Sequence, residues 1–178
     1  MFSALAVEQE MKKRGFDADF RATGQTGIFI AGSGVSIDAV VADFISGAVE
    51  WLCPENSENH WDIVEGQGSL FNVSYAGVTL GLIHGSQPDA LVVCHEAGRP
   101  HMRSMPHFPL IDLPTCIDVN LQAARLTNPD VRCVGAAINT SRLSEEEGSV
   151  FCDKISQEIG LPAVDPLRDG VASLVDQI

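Results

Sequence analysis

Four short stretches of this 178-residue chain carry side chains capable of chemistry. In WDIVEGQGSL an apolar run ends in Glu65, and Gly66 and Gly68 follow at once. A carboxylate at a strand end can hold Mg²⁺ directly or through water, and glycines let the backbone approach a phosphate or a substrate. The same residues would also serve a plain solvated turn. In CHEAGRPHMR, His95 has the chemistry of a general base near neutral pH, and Arg99 and Arg103 that of clamps on a carboxylate or phosphate. A structural histidine in a solvated connection is the competing reading. In ATGQTG, Thr23, Gln25 and Thr26 present two hydroxyls and an amide to a ligand, or simply make a turn. In AINTS, Asn139 stands at a strand end, free either to read a ligand edge or to cap the following turn.

Other motifs are missing. There is no G-x-S-x-G for a hydrolase elbow and no G-x-G-x-x-G for a dinucleotide site. The five cysteines form no C-x-x-C pair and are odd in number, which argues against zinc and against a disulfide framework. Twenty-four acidic residues against eleven Lys and Arg leave a formal net charge of −13, a surface that repels nucleic acid and anionic membranes. The partner expected is therefore a small molecule, and an anionic one must be held by local donors or a few placed cations. MFSALAVEQE lacks a cationic start and no apolar run approaches the ~20 residues of a membrane span, so a cytoplasmic protein is expected.

Elements must bring these residues together. Length suits one domain over 1–178, and 45% hydrophobic residues suffice for a core. Helices are predicted over MFSALAVEQEMKKRG, over SIDAVVADFISGAVEWL with Ser36 as cap, over GVTLGLIHGSQ and CIDVNLQAARLTN, and over SEEEGSVFCDKISQEIG, where Ser144 and Glu147 have capping-box spacing. A last helix is predicted over VASLVDQI. On its predicted helix, Asp38 near the N-terminus is explained by the dipole alone. Strands are predicted at ADFRAT, WDIVE, ALVVC, RCVGAAI and AV, with IFIAG as a further strand or turn. AGRPHMRSMPHFPLIDLPT, holding His101 and His107, reads as a loop long enough for a lid, with residues 99–110 expected to be less ordered than the strands that flank them. Apolar strands alternating with helices make an α/β fold with a mostly parallel sheet covered on both faces, where ligands bind at the carboxyl ends of strands. Glu65, His95, Asn139 and Asp165 all fall at such ends, and are expected on one edge.

RATGQTGIFIAGSGVSIDAVVADFISGAVEWL, VEGQGSLFNVSYAGVTLGLIHGSQPDALVVCHEAGR, VGAAINTS and LPAVDP together resemble the P-loop domain of a family long labelled a domain of unknown function, some of whose members are D-glutamate N-acetyltransferases. The resemblance covers nearly the whole chain. It implies a three-layer P-loop-like fold similar to dethiobiotin synthetase, in which the acid of the strand-E-G-x-G sequence, here Glu65, binds the metal. In the family a Gly-rich phosphate loop ending in Gly-Lys precedes the first helix, and Met1 resembles the residue directly after that lysine. The N-terminal strand and phosphate loop are therefore expected to be lacking from this chain, with weak nucleotide binding and a homo-oligomer as consequences. Met at the place of the usual Ser or Thr favours acetyl-CoA over ATP with Mg²⁺. Three readings follow: an acetyl-CoA-dependent N-acetyltransferase of an acidic amino acid such as D-glutamate, an ATP-dependent carboxylate ligase, or a non-catalytic fragment. Under the first, Glu65 or His95 takes the proton, Arg99 with Thr23, Gln25 and Thr26 holds the substrate, and Gly66, Gly68 and Asn139 contact the cofactor.

Overall fold

The computed structural model describes residues 1–178, which form two compact units, residues 1–88 with 123–130, and residues 89–122 with 131–178.

The first unit opens with α1 (Phe2–Lys13), whose Val7 and Met11 are buried. It leads through Gly15, at φ 88°, into β1 (Asp17–Arg21). Next come α2 (Gln25–Ala31), two 3₁₀ turns (Ile37–Ala39 and Ala42–Phe44), α3 (Ile45–Leu52), β2 (His60–Val64) and α4 (Ala76–Ser86). Strands β1 and β2 pair in parallel, Asp17 with His60 through Arg21 with Val64. The core of this unit is Ile37, Ile45, Val49 and Leu82. Helices α3 and α4 approach closely because α4 carries glycines on the contact: a Cβ on Gly81 would lie 2.3 Å from Ile45 Cγ2, and one on Gly85 2.5 Å from the Ser46 carbonyl oxygen.

Two expectations fail here. IFIAG is helical: Gly32 closes α2 in the left-handed conformation, and the N–H groups of Thr23 and Gly24 at its start are taken by a carboxylate from another element. The long helix from Ser36 is broken instead into 3₁₀ turns before α3. Val40 and Val41 are extended, as β-branched residues favour, and the Val35 and Ile37 N–H groups bond to the Ala22 and Thr23 carbonyls. Tertiary hydrogen bonds thus claim a backbone whose pattern alone suggests a helix.

The second unit holds β3 (Ala90–Glu96), the hairpin β4 (His101–Met102) and β5 (Met105–Pro109), all but the last two residues of α5 (Leu113–Ala124), β6 (Arg132–Asn139), α6 (Glu145–Ile159), β7 (Ala163–Val164) and α7 (Ala172–Val175). Its sheet runs β3-β6-β7, all parallel, with Glu96 opposite Asn139. Ala136 and Ile138 of β6 pack with Cys152 and Ile155 of α6. Gly135, at φ 145°, faces Leu174 of α7, where a Cβ would come within 2.4 Å of Leu174 Cδ2. Helices therefore press on β6 through alternate residues, which explains its apolar run. The capping box on α6 is present in full, Ser144 accepting from the Glu147 N–H and Glu147 from the Ser144 N–H. The long loop predicted after β3 contains the β4–β5 hairpin, antiparallel and turning at Arg103 and Ser104. Mostly parallel pairing within an α/β chain is what the apolar strand pattern foretold.

Candidate functional site

In the first unit, Glu65 follows β2 directly and is 4% exposed. Its Oε2 accepts from the Thr23 N–H at 3.0 Å and the Gly24 N–H at 3.1 Å, at the start of α2. Its Oε1 lies 3.8 Å from the Met1 amino nitrogen, at the start of α1. Glu65 thus satisfies the backbone N–H groups of the turn that leads into α2, which would otherwise lack a partner. Thr23 is wholly buried. Its hydroxyl donates to the Glu65 carbonyl at 2.6 Å and accepts from Gln67 Nε2 at 3.2 Å. Gly27 exists to admit the carboxylate, since a Cβ there would lie 2.4 Å from Glu65 Oε2. Gly24 makes room for Gln67 in the same way, its Cβ falling 2.6 Å from Nε2. The two glycines after Glu65 differ. Gly66 is exposed with open space around it, whereas Gly68 has φ 64° and packs against Tyr75, so only Gly68 is required by geometry. Gln25 and Thr26 stand exposed on the first turn of α2. No group of three or more His, Cys, Asp or Glu is arranged to hold a metal ion. For a metal, Glu65 has only Oε1 to offer, since Oε2 is committed to two backbone donors.

In the second unit, the parallel strands β3, β6 and β7 bring His95, Glu96, Asn139 and Asp165 to their carboxyl ends, as the strand pattern requires. His95 stacks on Phe151 of α6, with ring centroids 6.1 Å apart and planes within 5°. Burial, and then the charge of Arg99, lower its pKa below the usual histidine value, which keeps the imidazole neutral and able to accept a proton. Glu96 receives two guanidinium groups: Arg99 Nη2 on Oε2, and Arg142 Nε on Oε1 at 2.8 Å. Burial and the positive charges of Arg142 and Arg103 lower the Arg99 pKa. Asn139 is exposed and its Oδ1 accepts from the Ser141 N–H at 3.0 Å, so it does form the side-chain-capped turn. Asp165 is buried and built into the frame. Its Oδ2 accepts from the Thr140 N–H and hydroxyl, and its Oδ1 from the Leu167 N–H. Burial opposes its ionisation, but these hydrogen bonds prevail and hold its pKa below the ordinary carboxylate value. His101 bonds its own strand's Met102 carbonyl.

Sequence reasoning missed Gln67 and Arg142. Gln67 was legible in part, lying between Gly66 and Gly68, whereas nothing local marks Arg142, three residues past Asn139.

Residues 1–175 match the family model described as a domain of unknown function, the DUF1611 P-loop domain. The chain belongs to the DUF1611 family. The DUF1611 domain is similar to the D-glutamate N-acetyltransferase of a Pseudoalteromonas species, with 57% identity over 98% of this chain and 53% of the relative. To that of Tritonibacter scottomollicae it is 51% identical over the whole chain and 54% of the relative. The crystal structure of a DUF1611 family protein from Anabaena variabilis superposes with a TM-score of 0.93 at 38% identity, covering 98% of this chain and 51% of that one. The DUF1611 domain thus spans about half the length of the curated relatives it matches. None of its helices is long and apolar enough to cross a membrane.

Proposed function

We propose that this chain serves the acetyl-CoA-dependent N-acetylation of D-glutamate, in D-amino-acid catabolism. The observation that carries this reading is identity of 57% and 51%, across essentially all of the chain, to two proteins named for that activity. In the reaction the acceptor amine loses a proton and attacks the thioester carbonyl. A C–N bond forms, the C–S bond breaks, and coenzyme A leaves as a thiolate that takes up a proton. His95 is our general base, because its lowered pKa leaves it neutral at neutral pH. Arg99 pairs with a carboxylate of the acceptor, already aimed by Glu96. Backbone N–H groups around Gly66 and Gly68 are assigned to the cofactor. Exposed Asn139 is assigned to the cofactor too.

Glu65 takes a different part from a base. Its bonds to the Thr23 and Gly24 N–H groups support a role in holding in place the turn that leads into α2, whose exposed Gln25 and Thr26 we assign to substrate contact. Thr23, expected beside them, is wholly buried with its hydroxyl committed to the Glu65 carbonyl and Gln67, so its part is in the frame and not at the substrate. In the ligase alternative, Oε1 of Glu65 is the oxygen that would meet Mg²⁺ of ATP. We place the reaction in the cytoplasm, where acetyl-CoA is made available, and assign the protein a homo-oligomeric state.

The test replaces the matching region of the Pseudoalteromonas relative with this chain. The chimera is incubated with D-glutamate and either acetyl-CoA or Mg-ATP, and free thiol, N-acetyl-D-glutamate and ADP are measured. Thiol and N-acetyl-D-glutamate in equal amounts, without ADP, are the expected result. A folded chimera that releases no thiol, or that forms ADP instead, overturns the proposal.

A further inference from the structure

At the carboxyl end of the second unit's sheet, Arg99 and Arg142 meet on one carboxylate. Arg99 leaves the loop after β3, Arg142 the loop after β6, and Glu96, the last residue of β3, takes one guanidinium on each oxygen. The Glu96 side chain is 15% exposed, Arg99 30% and Arg142 62%, so the acid lies beneath and the cations face outward. Two positive groups on one negative group leave a formal excess of +1 in a chain whose net charge is −13. Arg103, exposed at the turn of the β4–β5 hairpin, adds a third positive charge that Arg99 feels. Arg142 donates to Glu96 through Nε, which leaves its Nη groups for another acceptor.

The geometry points to an oxyanion subsite in which Arg142, positioned by Glu96 beside Arg99, binds the side-chain carboxylate of the acidic acceptor and so selects it over its neutral amide. This assignment deepens the proposed acetyl-transfer reading and rests on it for the identity of the ligand. It adds a residue for which that reading has no role. Glu96 is a positioning residue: it never meets the ligand, but without it two like charges would part. A planar guanidinium suits a carboxylate because two parallel N–H donors match two oxygens, which a lysine cannot reproduce.

Binding is measured first on this chain by calorimetry, with glutarate, its neutral isostere glutaramide and inorganic phosphate as probes. Arg142→Ala is expected to weaken glutarate binding about 10- to 100-fold, as loss of a charge-assisted hydrogen bond does. Arg142→Lys should restore only part of it. Lys154→Ala, which changes net charge equally from an exposed position on α6, should leave it unaltered. Equal losses in Arg142→Ala and Lys154→Ala, or none in either, overturn the subsite. Phosphate binding that depends on Arg142 while glutarate does not bind overturns the acceptor assignment. In the chimera, Arg142→Ala should raise KM for D-glutamate with little change in kcat and leave D-glutamine unaffected. A chimera that turns over with an unchanged preference between the two sinks the subsite alone. A chimera without turnover sinks the activity, while the glutarate titration still decides whether the subsite exists.

Discussion

Replacing Glu65 with alanine removes the acceptor of two backbone N–H groups and the filling of the space Gly27 leaves open. Thr23 is wholly buried, so water cannot take over its N–H, whereas Gly24 is only half-buried and its N–H can be partly rehydrated. A buried donor left without a partner costs about 1–3 kcal/mol, and bonds to a charged acceptor stand at the upper end. One full loss at Thr23, part of one at Gly24 and the vacated volume sum to about 2–4 kcal/mol of destabilisation. That is a large share of the ~5–15 kcal/mol by which domains are usually stable. Glu65→Gln keeps one carbonyl oxygen for the two donors while giving up the charge, so its loss should be about half as large. Equilibrium urea denaturation of the two variants and the wild type reads both values. If Glu65→Ala unfolds at the wild-type midpoint, Glu65 is not the clamp that joins β2 to the start of α2. If both variants lose equally, charge rather than hydrogen bonding holds the loop.

Three further outcomes follow from particular contacts. Protonated His60 bonds Asp17 through Nδ1 at 3.0 Å and Asp62 through Nε2 at 3.2 Å, and the bond to Asp17 leads in raising its pKa above 6.5. A raised folded-state pKa gives stability that is full below 6.5 and lost as pH rises through the folded value. The stability gap between wild type and His60→Gln should therefore be widest below 6.5 and shrink above it, and a gap independent of pH would refute the pairing. Ser144→Ala should lose about 1 kcal/mol in thermal or urea unfolding by removing the cap of α6, and no loss would show the cap to be idle. Backbone amides of Met105–Pro109 should exchange with deuterium faster than those of Ala90–Glu96, because a two-stranded hairpin with a largely exposed strand has little to protect it. Equal protection would mean the hairpin is packed more firmly than its exposure indicates.

What could be read from the residues alone was mostly what neighbours in the chain decide. An apolar run that ends in a polar side chain marked β2 with Glu65, β3 with His95 and β6 with Asn139. Ser144 and Glu147 declared the start of α6 because a capping box is closed within four residues. Family membership was legible in long runs such as VEGQGSLFNVSYAGVTLGLIHG, where the order of residues carries more information than any single motif. The segment from Gln25 to Phe44 was misread because distant groups settle it. Just before helix α2, Glu65 captures the Thr23 and Gly24 N–H groups, and the Val35 and Ile37 N–H groups bond to the Ala22 and Thr23 carbonyls just past β1 rather than within a helical turn. The roles of the charged residues were hidden for the same reason. A carboxylate in a sequence looks alike whether it clamps a loop, as Glu65 does, aligns two arginines, as Glu96 does, or braces a strand end, as Asp165 does. Only the tertiary structure, by bringing donors from other elements to each oxygen, decides which of these it is.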